Sequence, residues 1–380
     1  MPRAHWMALI GLAFSAFVMN TSEFMPIGLL VDIAESFSMT EAEAGLIISL
    51  YAWAVALLSI PLMVLASRFN LKAVLLASIA LFAAGQVASA LAPSFSLLVG
   101  ARLMVAALAV RVVGEKHSGV AVGVIVTGSS VAMVCGLPLG RAIGLLLGWR
   151  MTFACVGAVA LGILAYLAAA TPRLAAGKPF SPRELPTLFA APALRNIYVV
   201  TALFATAHFT CYSYIEPFLQ QVAHFPDDLI TLTLVLYGAA GMAGSALLSR
   251  TYGRMRFPLM RAVVIGVAAS MALLLATAAS AAATVAVCAL WGACYTAYNV
   301  AFQSEVLANS TEDASAVAMS AYSGIFNLGI GSGTWIGGAV AQAAGIADVG
   351  LAGALVGLAA FAVCSVHLVR SIKRAEAPAA

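Results

Sequence analysis

Asn20-Thr21-Ser22-Glu23-Phe24-Met25-Pro26 lies inside an apolar run from about Trp6 to Val31. A run of that length crosses a bilayer as a helix. A carboxylate at such a depth costs a few kcal/mol or more unless it is protonated, paired or facing a water-filled cavity. Glu23 is therefore the first candidate functional residue, and the rest of the chain reads as the scaffold that gives it a cavity.

The chain has 380 residues, 63% hydrophobic and only 9% charged. Soluble domains carry roughly 25% charged residues, so the composition is that of an integral membrane protein. The first apolar run is too long for a signal-peptide core and no small-residue cleavage site follows it, so it is expected to stay as the first span. Six cysteines stand singly in apolar stretches, without C-x-x-C spacing, and read as small hydrophobes. No metal site, disulfide framework or cofactor is implied. There is no phosphate-binding glycine loop, no H-E-x-x-H and no nucleophile elbow, so an enzyme is not expected. Nor is a nucleic-acid partner.

Working outward, apolar segments fall at about 7–30, 44–66, 72–92, 97–113, 119–144, 149–170, 197–222, 229–249, 259–279, 284–308, 316–341 and 347–368. Most approach the ~20 residues a span needs. The spacing predicts an all-α membrane protein with a six-helix bundle over 1–170, a cytoplasmic linker over 171–196 and a second bundle over 197–380. Placing the N-terminus inside puts 16 of the 19 Lys and Arg residues in the cytoplasm, Arg3, Arg68, Lys72, Arg250 and the linker cations among them. Only Arg141 and Arg150 then face the acidic outer side, as the positive-inside rule requires. Both termini are expected in the cytoplasm.

The halves echo each other. Ser22 and Pro26 match Ser213 and Pro217, 191 residues on, with Glu23 and Glu216 inside the window. Gly136, Gly140 and Gly144 match Gly329, Gly333 and Gly337, 193 residues on. Leu65-x-Ser67-Arg68 matches Leu247-x-Ser249-Arg250. Two parallel six-helix repeats around a midplane site form a transporter plan. Ser67 to Gly136 spans 69 residues and Ser249 to Gly329 spans 80, so the first half is 11 short. The shortfall falls in the fourth span, where 17 residues from Leu97 to Val113 reach about 25 Å against a core of about 30 Å. That span is expected to cross thinly, with Arg111 snorkelling inward.

Several residues could carry chemistry. Glu23 and Arg102 lie at similar depth, roughly 7–11 Å from the outer helix ends. A buried Arg lowers a neighbouring carboxylate pKa and desolvation raises it, so a cavity wetted alternately from two sides can drive proton exchange. A static ion pair is the competing reading. His208, Tyr212 and Glu216 fall at i, i+4, i+8 on the seventh helix, and Tyr295, Asn299 and Gln303 do so on the tenth, with Trp291 one turn above. Such stripes face a bundle interior rather than lipid. Together with Asn20, Gln86 and Asn327 they are candidate cavity residues, interhelical hydrogen bonding being the alternative. The fifth-span glycines give one bare helix face for close approach, with Pro138 a candidate kink. Packing and gating remain open for Gly136, Pro138, Gly140 and Gly144, as for the basic loop positions Arg68 and Arg250.

The twelve-span plan, the basic loop after span two and Gly136-x-Pro138-x-Gly140 resemble the major facilitator superfamily. Asn20-Thr21-Ser22-Glu23-Phe24-Met25-Pro26-Ile27-Gly28-Leu29-Leu30, Tyr212-Ser213-Tyr214-Ile215-Glu216-Pro217-Phe218-Leu219 and Phe326-Asn327-Leu328-Gly329-Ile330-Gly331-Ser332-Gly333 resemble the sugar efflux transporters in its drug:proton antiporter branch. The resemblance implies proton-driven export of sugars and related small solutes across a bacterial inner membrane. Two patterns depart from it. G-x-x-x-D-R-x-G-R-K appears as Met63-x-x-x-Ser67-Arg68-x-Asn70-Leu71-Lys72, and L-x-x-x-R-x-x-Q-G as Leu98-x-x-x-Arg102-x-x-Val105-Ala106. Relatives have a full-length fourth helix, so the resemblance and the internal repeat agree on a deletion. The expectation is a monomeric exporter whose halves rock about a central cavity, with Glu23 exchanging protons and Arg102 modulating it. A multidrug exporter of the same fold, and a non-transporting membrane binding protein made inert by the short span, are the alternatives.

Overall fold

The computed structural model describes residues 3–66, 69–106, 132, 135–170, 189–311 and 314–376. Every regular element among them is helical. The chain divides into two compact units, one of residues 1–40 with 50–181, the other of residues 41–49 with 182–380. Among the described residues, seven helices are long and apolar enough to cross a membrane, and Phe95–Ala106 and Cys135–Leu147 are shorter apolar ones.

In the first unit, α1 (Arg3–Phe24) gives way to a 3-10 segment, Met25–Leu29, before α2 (Leu30–Ser36) resumes. The cause is local. Pro26 has no N–H to offer the Ser22 carbonyl, and its ring crowds that carbonyl. Four further helices belong here: α4 from Leu46 to Ala66, whose first turn groups with the other unit; α5 (Leu71–Ala90); α6 (Phe95–Ala106); and α7 (Cys135–Leu147). The short α3 (Glu41–Ala44) precedes α4 and also groups with the second unit. Asn70 caps α5, its side chain accepting from the Lys72 and Ala73 amides at 2.9 and 3.4 Å. Lys72 Nζ then donates to Ala168 O at 3.0 Å near the end of α8 (Trp149–Ala170). At the other end, Gly148 adopts φ +85 between α7 and α8, a conformation that costs glycine little. Trp149 beside it donates to Ser36 Oγ at 2.7 Å. Arg150, expected on the outer side, lies 4.2 Å over the Trp149 ring, whereas Arg141 is only 3% exposed, inside the unit rather than facing water.

The second unit opens with α9 (Pro192–Tyr212), and Pro217 repeats the effect of Pro26 by withholding an N–H from the Ser213 carbonyl. The helix stops at Tyr212, followed by a single turn, Ile215–Pro217, and a π segment, Phe218–Val222. The His208–Tyr212–Glu216 stripe is therefore corrected: Glu216 lies beyond the end of the helix that carries the other two. α10 (Asp227–Thr277) runs for 51 residues, far more than one crossing, and holds both the eighth and ninth expected spans. Its helical dihedrals fail at Met255 (φ −126, ψ 34), three residues before Pro258. α11 (Ala281–Ala308), α12 (Ser315–Ala343), α13 (Val349–Val363) and α14 (Val369–Glu376) complete the unit. Glycines at 241, 244 and 292 let α10 and α11 close in, and a Cβ at Gly244 would stand 2.8 Å from the Ala293 Cα.

Most of the linker, Arg68, and the fourth span beyond Ala106 with Arg111 lie outside the described residues, as does the stretch that would reveal the 11-residue shortfall.

Candidate functional site

Two polar clusters stand out, one in each unit. In the first, the helix break at Pro26 leaves Ser22 on the last turn of α1. Its hydroxyl accepts from Gln86 Nε2 of α5 at 2.5 Å and from Arg102 Nη1 of α6 at 2.9 Å. Ser22 and Gln86 are 0% exposed and Arg102 is 1% exposed. The guanidinium carbon stacks 4.2 Å from the Tyr51 ring centroid, and Glu23 lies within electrostatic reach of the same cation. Glu23 itself is half-buried. The structure thus brings Gln86, Arg102 and Glu23 to one place and adds Ser22 and Tyr51, which the sequence reading did not assign to a site. Asn20 is turned differently, with its amide nitrogen donating to Ala16 O one turn back at 2.7 Å.

Burying a guanidinium is costly unless its donors are met. Among the described residues, Arg102 Nε and Nη2 have no hydrogen-bond partner, and neither has Gln86 Oε1. This cluster is polar, charged and incompletely satisfied. A gap in the same unit, lined by Ser15, Val18, Met19, Ile79, Phe82, Ala160 and Ile163, offers no such chemistry, since the Ser15 hydroxyl is spent on Gly11 O at 2.8 Å.

The second cluster is a box of rings. The His208 imidazole lies 4.0 Å from the Tyr295 ring at 11° and 4.8 Å from Tyr212 at 26°. Trp291 Nε1 donates to its Nδ1 at 3.0 Å. A nitrogen that accepts carries no proton, so His208 is held neutral with its proton on Nε2. Among the described residues that Nε2 has no partner, and neither has the Tyr237 hydroxyl. Tyr237, on α10, closes the box at 5.0 Å from Tyr212 and 5.8 Å from Trp291. Sequence reading missed it because its place depends on the glycine-mediated approach of α10 and α11. Ser213 donates to Thr334 Oγ1 at 2.6 Å, since the Thr334 proton goes to Ile330 O.

Other expected cavity residues are turned inward on their own helices. The amide nitrogens of Asn299 and Asn327 donate to Tyr295 O and Ser323 O, each at 3.0 Å. Glu216 is buried and Gln303 half-buried. Arg250 is exposed. Among the described residues, no group of three or more His, Cys, Asp or Glu could hold a metal ion.

Both glycine faces are packing faces. A Cβ at Gly136 would lie 3.0 Å from the Thr21 Cα, and one at Gly140 would lie 2.7 Å from Met25 Cβ. Gly144 meets Leu29. Pro138 is buried between them.

Also in the second unit, Glu305 of α11 is 1% exposed and accepts from both Arg256 Nε and Nη2 at 2.5 Å. Tyr252 also donates to Glu305, and Arg256 reaches Glu376 on α14 as well. The hydrogen bonds to Glu305 and then Glu376 push the Arg256 guanidinium further up.

Residues 12–334 match the Major Facilitator Superfamily. The fold is similar to the crystal structure of the human organic anion transporter MFSD10 (TETRAN), with a TM-score of 0.72 and 15% identity over 96% of this chain and 100% of that one. It is also similar to a bacterial homolog of the human lysosomal transporter Spinster. In its inward-facing, unoccupied conformation the TM-score is 0.69 at 18% identity, covering 98% of this chain and 94% of that one. In its inward-facing, occupied conformation the TM-score is 0.70 at 19% identity, with the same coverage.

Proposed function

The chain belongs to the major facilitator superfamily, a family of secondary transporters, and from that premise we propose a proton-coupled exporter of sugars or related small solutes. It works by alternating access as a monomer in a bacterial inner membrane, both termini inside, with bundles over 1–170 and 197–380 joined by a cytoplasmic linker. The supporting observation is the buried cluster of Ser22, Gln86 and Arg102 with Glu23 in electrostatic reach.

Glu23 exchanges the proton. Arg102 favours its ionised form when the site is wet, and desolvation favours the neutral form when the site closes. Asn20 and Gln86 in the first unit, and the ring box with Glu216, Asn299, Gln303 and Asn327 in the second, contribute solute contacts. The glycine faces, Pro138, and Arg68 and Arg250 serve the rocking motion. About 2.3 kcal/mol per charge per 100 mV supports roughly a fiftyfold solute gradient per proton.

The five-ring box favours one second reading, a multidrug exporter of amphipathic solutes. Flux assays in vesicles with sugars beside lipophilic cations separate the two. The main test is flux driven by a pH gradient in proteoliposomes, wild type beside Glu23→Gln. Coupled flux is expected to vanish in the variant while membrane insertion is preserved; full coupled activity would remove Glu23 from the mechanism. A wild type showing no solute-dependent proton movement would leave only the inert binding protein.

A further inference from the structure

The unsatisfied groups around Ser22 are unbalanced, and the imbalance has a chemical meaning. Ser22 uses its oxygen to accept from both Gln86 and Arg102, which leaves its own O–H to donate. Among the described residues, Arg102 Nε–H and the Nη2 protons have no hydrogen-bond partner, and neither have Gln86 Oε1 and the neighbouring Thr21 hydroxyl. Leaving Glu23 aside, donors therefore outnumber acceptors. A neutral sugar hydroxyl brings a donor with every acceptor and fits such a set poorly. A carboxylate brings acceptors alone, and its two oxygens match the planar guanidinium fork. The remaining Gln86 carbonyl calls for one hydroxyl on the solute.

We propose that the Ser22–Gln86–Arg102 cluster is a recognition site for a small hydroxylated carboxylate, such as a sugar acid. The carboxylate sits on Arg102 Nε and Nη2, and Ser22 donates to it. A solute hydroxyl donates to Gln86 Oε1. Tyr51 backs the guanidinium from its other face at 4.2 Å and restricts the fork to one orientation. Glu23 draws on the same positive charge and so competes with the bound carboxylate. This deepens the transport reading and rests on it only in taking the cluster as solute-facing.

Equilibrium binding to the purified full-length protein tests it with three probes: gluconate, its neutral counterpart sorbitol, and hexanoate, which has the carboxylate without hydroxyls. Wild type is expected to bind gluconate at least about tenfold more tightly than sorbitol. Arg102→Lys keeps a charge but loses the fork, and should weaken gluconate about tenfold. Glu23→Gln removes the competitor and should tighten gluconate severalfold, the opposite sign. Gln86→Leu should abolish the preference for gluconate over hexanoate. Equal binding of gluconate and sorbitol by wild type would overturn the proposal, as would unchanged gluconate affinity in Glu23→Gln and Gln86→Leu. Should Arg102→Lys not fold, those two variants decide. Sorbitol-blind, pH-driven sugar flux without any gluconate preference would sink this inference alone. Gluconate binding with the expected variant pattern but no flux would sink the transport reading alone.

Discussion

The two units share one sequence device and use it for different chemistry. In each, a serine four residues before a proline ends a helix, because the proline withholds the N–H that the serine carbonyl would accept. In the first unit, Ser22 gathers Gln86 and a buried, partly unsatisfied Arg102. Its counterpart Ser213 makes a neutral bond to Thr334, and the neighbouring space is filled by the rings around His208. The second unit keeps its strong ion pair, Arg256 with Glu305, next to the kink of α10 rather than beside the break. The glycine faces differ too. A Cβ at Gly140 meets the Met25 side chain, whereas one at Gly333 meets backbone, the Thr206 carbonyl first and then the Thr210 amide at 2.9 Å. The two breaks share a backbone cause but differ in side chains: a buried cation stands beside the first and rings beside the second.

Exchanging the roles of the two acids is the harshest test of that division. Glu23→Gln should reduce pH-driven flux to the uncoupled background, while Glu305→Gln should leave coupling in place; if both variants lose coupling equally, the two units share the proton work. Next in size, Arg256→Ala should cost about 3 kcal/mol, because it strands a buried carboxylate. A thermal or denaturant melt in detergent measures it, and a change under 0.5 kcal/mol would reduce the pair to a surface contact. The glycine faces give a graded comparison. Gly333→Val meets backbone at Thr206 and Thr210 and should cost about 2 kcal/mol, whereas Gly136→Ala, at 3.0 Å from Thr21, should cost about 1. Equal stability loss would mean the two faces are equally tight. Smallest, Trp291→Phe keeps the ring and removes the donor to His208. It should cost about 1 kcal/mol and leave pH-driven flux within a factor of two; a large loss of coupling would move His208 into the proton path.

Much of the fold was legible in sequence. Apolar run lengths located the helices: the expected 149–170 span is Trp149–Ala170, and the expected 72–92 span is Leu71–Ala90. The expected eighth and ninth spans meet at the kink at Met255 in α10, whereas hydropathy cannot see a proline-induced break, so the end of α9 before Glu216 went unread. At the sites, the types of residue were readable because polar groups in apolar helices are costly. Their partners were less so. Glu305 is an example: the Arg256 that reaches it belongs to another helix, 49 positions away.

What the sequence determined by itself follows from local chemistry: membrane residence from hydropathy, all-helical backbone from the need to satisfy every peptide group in lipid, and paired helix breaks from Pro26 and Pro217. Tertiary structure alone decided that one serine hydroxyl would hold residues 64 and 80 positions away, and that Tyr237 would close the ring box. The reason is geometric. Periodicity sets which face a side chain occupies on its own helix, but a hydrogen bond also depends on how neighbouring helices are rotated and how closely they approach, and packing sets both.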